Sequence, residues 1–128
     1  MQRPVRRRPR WWTLSPLLLL GLPGSSRAGL ADVVAASADC SPTTCTFTVT
    51  VRHADEGWSH YADSWEVLAP DGRVLATRVL EHPHVEEQPF MRELRGVAVP
   101  SDVTSVRIRA HDSVHGFGGR EMVVHLRE

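Results

Sequence analysis

One alternating stretch decides the fold: Cys45-Thr46-Phe47-Thr48-Val49-Thr50-Val51. Successive side chains of an extended chain point to opposite faces. Phe47, Val49 and Val51 therefore share one face, and the three threonines between them share the other. An apolar face backed by a polar face is typical of a half-buried β-strand, which we predict here.

Short runs of the same kind recur on both sides of this stretch and are separated by turn residues. At Pro70-Asp71-Gly72, proline fixes φ and glycine accepts a positive φ, so we predict a hairpin over residues 63–80. No segment has a helical period. Seven short strands with regular turns predict an all-β, seven-stranded β-sandwich. The predicted strands cover residues 33–38, 45–51, 64–68, 73–80, 90–97, 103–110 and 122–126.

The N-terminal segment has the character of an export signal. It is rich in arginine, has no acid before Asp32, and carries an apolar run over residues 11–22. That run is shorter than the ~20 residues a helix needs to span a bilayer. We therefore predict a signal peptide over residues 1–31 and a β-sandwich domain over residues 32–128, with a second candidate cut after Ala28. An uncleaved anchor is the alternative.

The expected product is periplasmic or secreted, with no stable membrane insertion after cleavage. From Asp32 onward, nine arginines stand against fifteen acids, a net charge of −6, and the chain has no lysine. Phosphate contacts need a basic patch, so we expect no nucleic-acid partner. The expected partner is a metal ion or an unidentified protein.

Cys40 and Cys45 are the only cysteines in the chain. An even count in an exported protein favours a disulfide, and the four intervening residues suit a bridge across a turn. A reduced pair and a metal-binding pair are the alternatives.

The seven histidines give the strongest functional indication. If the predicted strands run up and down, six histidines fall at one end of the sandwich and His125 toward the other. Imidazole is the commonest protein ligand for transition metals, and copper or zinc suits an exported site. We expect the stiff His82-Pro83-His84 segment to contribute most. Asp63 is a candidate to orient an imidazole, and a turn or solvent-exposed role is the equal alternative. The predicted metal ligands are His53, His60, His82, His84, His111, His115 and Asp112. The alternative is that these histidines are scattered surface residues or local hydrogen-bond partners.

Three resemblances add to this interpretation. The run Val106-Arg107-Ile108-Arg109-Ala110-His111-Asp112, with a glycine-rich loop after it, resembles the end of a fibronectin type III domain. This implies an immunoglobulin/fibronectin-III-like sandwich, although Thr104 stands where that family has its corner tyrosine. The segments HYADSWEV (60–67), HPHVEEQPF (82–90) and DSVHGFGG (112–119) resemble a group of small exported bacterial proteins that carry no assigned function.

The third resemblance is weak and concerns superoxide reductases, which are seven-stranded sandwiches with a four-histidine, one-cysteine iron site. It rests on His60-Tyr61 before a tryptophan-bearing strand and on His115-Gly116. Asp112 stands where that family has its thiolate ligand, which argues against the same chemistry.

Three classes of function follow. The leading one is a small exported metal-binding protein. The second is a non-catalytic interaction module that holds a protein or glycan with Trp58, Tyr61 and neighbouring acids. The third is a metal-dependent enzyme, which would need an open coordination position. We assign no catalytic residue, and an enzyme is the less favoured class.

Overall fold

The computed structural model describes residues 29–127, and within them the chain forms seven strands in two antiparallel sheets. The prediction of an all-β, seven-stranded sandwich is confirmed. The predicted signal peptide falls largely on residues 1–28, outside the described part. The strands are β1 (Asp32–Cys40), β2 (Thr44–Arg52), β3 (Ala62–Leu68), β4 (Val74–Val79), β5 (Phe90–Ala98), β6 (Ser105–Asp112) and β7 (Met122–His125).

One sheet has the order β1-β2-β5 and the other β4-β3-β6-β7. In constant-type immunoglobulin domains the fourth strand belongs to the first sheet. Here β4 pairs with β3 instead, which confirms the predicted hairpin over 63–80. Residues 29–127 contain no helix long and apolar enough to cross a membrane.

The core lies between the sheets and follows the alternation in the sequence. Phe47, Val49 and Val51 are fully buried on the inner face of β2. They share one hydrophobic cluster with Trp65 of β3 and Ile108 of β6. The apolar face of the stretch 45–51 therefore provides one wall of the core, and burial of such side chains stabilises the fold by about 1.5–3 kcal/mol each.

The disulfide predicted between Cys40 and Cys45 is present and closes the β1–β2 turn. The two cysteines are register partners at the end of the hairpin. Their position links neighbouring strands at the end where β2 begins.

Strand register brings several loops together at the opposite end of β2. Val51, near the end of β2, pairs with Phe90 at the start of β5. In the second sheet, Ala62 at the start of β3 pairs with Asp112 at the end of β6. The loop over residues 53–61 crosses between the sheets at this end. His125 pairs with Ser105, at the far end of β6.

Candidate metal centre

His53, His60 and Asp112 form a compact group where the 53–61 loop meets the end of β6. One ligand atom from each residue lies within 4.8 Å of the other two. Nε2 of His60 is 2.6 Å from Oδ2 of Asp112, and Nε2 of His53 contacts the same oxygen. Because His53 and His60 lie on the loop that joins the two sheets and Asp112 ends β6, only the closed sandwich assembles them.

The Asp112 carboxylate is fully buried, and its two oxygens have different surroundings. Oδ1 accepts hydrogen bonds from the backbone N–H groups of Val114 (2.8 Å) and His115 (2.5 Å). Oδ2 accepts no backbone hydrogen bond and lies in ion-pair contact with Nε2 of His53 and Nε2 of His60. Burial raises the pKa of Asp112, but the backbone N–H groups and the nearby histidines outweigh it and hold the pKa below its usual value. The carboxylate is therefore held ionised, with one oxygen directed at the two imidazoles.

His53 is buried and has its other ring nitrogen fixed by Asp55. Nδ1 of His53 lies 2.5 Å from Oδ1 of Asp55. Asp55 is also buried and accepts backbone N–H bonds from Ala62 (3.0 Å) and His84 (2.7 Å). A carboxylate at Nδ1 favours the tautomer with its proton on Nδ1, as in the carboxylate–histidine–metal triads. That tautomer leaves the Nε2 lone pair directed at Asp112.

His60 is mostly buried and completes the group from the far end of the same loop. Its Nδ1 lies 3.4 Å from Oε2 of Glu56. Burial lowers the pKa of His60, but the carbonyl of Gly29 and the charge of Asp112 together raise it above its usual value. The surroundings therefore favour a positive charge at this point, whether carried by a proton or by a metal ion.

A backbone oxygen that sequence reasoning missed also reaches the group. The carbonyl oxygen of Gly29 lies 3.1 Å from Nε2 of His53 and 3.3 Å from Nε2 of His60. The predicted signal peptide, residues 1–31, includes Gly29. The second candidate cut, after Ala28, was the one sequence feature that would have kept it in the mature protein.

His115 lies beside the group, and its ring is half-exposed. Its Nδ1 is 3.1 Å from Oδ1 of Asp112. The centroid of its ring is 5.0 Å from that of His60. It therefore contacts the buried carboxylate from the solvent side.

The His82-Pro83-His84 segment, expected to contribute most, lies outside the group. The ring of His84 stacks on Phe90 with centroids 4.1 Å apart, and its Nε2 is 2.8 Å from Nη2 of Arg92. Burial and then the Arg92 charge lower the pKa of His84. A guanidinium beside Nε2 disfavours a metal cation there. The segment instead contacts the group indirectly, through the bond from His84 N–H to Asp55.

His111 also lies apart from the group, in a separate pair. Its Nδ1 is 2.5 Å from Oδ1 of Asp63, and its ring packs edge-on against Phe117. Of the two alternatives for Asp63, the structure therefore shows the contact with an imidazole. The pair is a second histidine–carboxylate contact at this end, outside the group of three.

Comparison with known proteins finds a relative described as a lipoprotein. A "Putative lipoprotein" from Halomicrobium mukohataei is 44% identical over 78 residues, which is 61% of this chain. The chain spans 38% of that relative's length. No protein-family model and no solved structure matches. A relative of this description fits the resemblance to small exported proteins without an assigned activity.

Proposed function

We propose that this protein binds one divalent transition-metal ion through Nε2 of His53, Nε2 of His60 and Oδ2 of Asp112. One observation carries the proposal: a buried carboxylate oxygen of Asp112 and the Nε2 atoms of His53 and His60 converge on one point. A buried carboxylate needs a positive charge beside it. A metal cation among these atoms would supply that charge and bind all three as ligands.

The donor set favours zinc or copper. Neutral imidazoles and a carboxylate suit both Zn(II) and Cu(II), and three protein ligands leave coordination positions free. A set of two histidines and one carboxylate also suits Fe(II). The single carboxylate leaves a bound divalent ion with a net positive charge, which favours an additional ligand from solvent or from the chain.

Asp55 acts on the metal through His53. Its Oδ1 fixes the Nδ1 proton, and its remaining bonds to Ala62 and His84 hold the carboxylate in place. Such a partner orients the imidazole and makes Nε2 a better donor.

Export is part of the proposal. The relative's description as a lipoprotein supports an exported protein, and the Cys40–Cys45 disulfide fits an oxidising compartment. A periplasmic or secreted metal protein would serve in storage, delivery or resistance.

The test is isothermal titration of chelator-treated protein with Zn(II) and with Cu(II). We expect one ion per chain in the wild type and loss of that site in Asp112→Asn. The matched control is Asp63→Asn, which removes a carboxylate from the separate pair with His111. His125→Ala, at the far end of β6, is a second control. Equal, weak binding by all four proteins would contradict the proposal.

An interaction module is the second candidate. Trp58 is 69% exposed and packs edge-on against Tyr61, with ring centroids 5.7 Å apart. An exposed tryptophan beside a buried site suits a protein or glycan contact. If Asp112→Asn leaves metal binding unchanged, this aromatic pair becomes the better candidate. Screening glycans and proteins against wild type and Trp58→Ala then tests it.

A further inference from the structure

We infer that the exported protein begins at Gly29 and that the new α-amino group and the carbonyl oxygen of Gly29 join His53, His60 and Asp112 as metal ligands. The inference rests on the proposed metal site and adds to it a ligand created by processing. It replaces the cut after Ala31, which we expected from the sequence, with the cut after Ala28.

The first observation is the position of the Gly29 carbonyl. Its oxygen lies close to Nε2 of both His53 and His60, the same two atoms that face Asp112. With Nδ1 of His53 protonated against Asp55, Nε2 of that ring carries a lone pair. A carbonyl oxygen, a lone pair and a carboxylate repel one another unless a proton or a metal ion lies among them. Gly29 therefore contributes a fourth acceptor to one centre.

The second observation is that residues 29–31 are part of the folded domain. Ala31 is 1% exposed and belongs to the hydrophobic core. A methyl group added at Gly119 would lie 1.9 Å from the Ala31 carbonyl oxygen, so these backbones are in close contact. A cut after Ala31 would remove a core residue and the Gly29 oxygen together.

Gly29 itself packs against the site. A methyl group added to its Cα would lie 2.5 Å from Cε1 of His115. The backbone thus passes directly beside the ring of His115. The nitrogen and the carbonyl carbon of Gly29 are bonded to the same Cα, so a donor nitrogen at this residue can reach a metal that the carbonyl oxygen binds.

The sequence supplies the cut. Ser26-Arg27-Ala28 has the small-x-small pattern that precedes signal-peptidase cleavage. While Ala28 remains attached, the nitrogen of Gly29 is an amide and has no lone pair to donate. Cleavage converts it into an amine that, with the carbonyl oxygen of the same residue, can close a five-membered chelate ring on a metal. The site would therefore be complete only after export.

The absence of lysine makes this inference unusually easy to test. Because the chain contains no lysine, the α-amino group is the only primary amine of the processed protein. An N-hydroxysuccinimide ester of acetate therefore acetylates one defined group. Acetylation restores an amide at Gly29 and leaves every side-chain ligand intact.

The experiment begins with the full chain expressed in an exporting host. Intact mass spectrometry of the exported protein should give a mass that begins at Gly29. Unmodified and acetylated protein are then titrated with Cu(II) at about pH 8, where much of an α-amine is unprotonated. Removing a group that only hydrogen-bonds to a metal ligand weakens metal affinity about 10–100-fold. Acetylation removes a ligand itself, so we expect it to weaken Cu(II) binding at least about tenfold. Bound Cu(II) should also slow acetylation.

Asp112→Asn separates failure of this inference from failure of the proposed site. An exported protein that begins at Asp32 would overturn the inference, since Gly29 would be absent. Equal Cu(II) affinity before and after acetylation, with loss of the site in Asp112→Asn, would overturn the inference and leave the proposed metal site standing. Equal, weak binding by all three proteins would overturn both.

Discussion

Replacing Asp112 by asparagine removes the charge of the carboxylate that faces both imidazoles. Asparagine keeps an oxygen that can accept the N–H bonds of Val114 and His115, so the turn after β6 should persist. The side-chain NH2 group of asparagine, which is a poor metal ligand, then takes the place of Oδ2. The substitution therefore acts on the metal site more than on the fold.

The magnitude follows from ligand-linked stability. When free metal is present at about 100 times Kd, binding stabilises the folded protein by about 2.7 kcal/mol. Loss of a group that hydrogen-bonds to a metal ligand lowers metal affinity by up to about 100-fold, and loss of a charged ligand should lower it at least as much. A site 100-fold weaker gains only about 0.4 kcal/mol at the same metal concentration. The difference, about 2.3 kcal/mol, corresponds to about 9–18 °C in Tm for a domain of this size.

The assay is thermal unfolding with and without Zn(II), for wild type, Asp112→Asn and the control Asp63→Asn. We expect the zinc-induced rise in Tm to persist in Asp63→Asn and nearly to vanish in Asp112→Asn. A zinc-induced rise of equal size in all three proteins would refute the assignment of Asp112 as a ligand.

Because the pKa of His60 is raised on folding, the protonated imidazole stabilises the folded protein. This contribution is complete below about pH 6.5 and is lost as the pH rises through the folded-state pKa. With chelator present, His60→Ala should therefore lose more unfolding free energy at about pH 6 than at about pH 8, as measured by urea denaturation; a pH-independent loss would count against the ion pair with Asp112. Asp55→Ala leaves three donors without their acceptor, so we expect a loss of at least about 3 kcal/mol in the same assay, and a loss under 1 kcal/mol would contradict its role. Reduction of Cys40–Cys45 opens a small loop and should cost no more than about 2–3 kcal/mol in urea, so unfolding on reduction would show that the estimate is wrong.

Much of the candidate site was within reach of the sequence, because histidines are rare enough for their clustering to be informative. His53, His60 and Asp112 were all among the predicted ligands. Their selection from the larger set was not predictable, since it depends on which loops turn inward. His84 illustrates this: its Nε2 contacts Arg92 of β5, and no pattern in the sequence indicates that contact.

The sequence by itself determined the layers of the fold and the disulfide. Alternation over residues 45–51 assigns each side chain to core or solvent, and that choice depends only on neighbours along one strand. The group of His53, His60 and Asp112 depends instead on register and on sheet packing. The pairing of Ala62 with Asp112 and the crossing of the 53–61 loop bring distant residues within bonding distance. Only the tertiary structure decided that Gly29 belongs to this group, because its backbone oxygen reaches the histidines through packing against the opposite end of the chain.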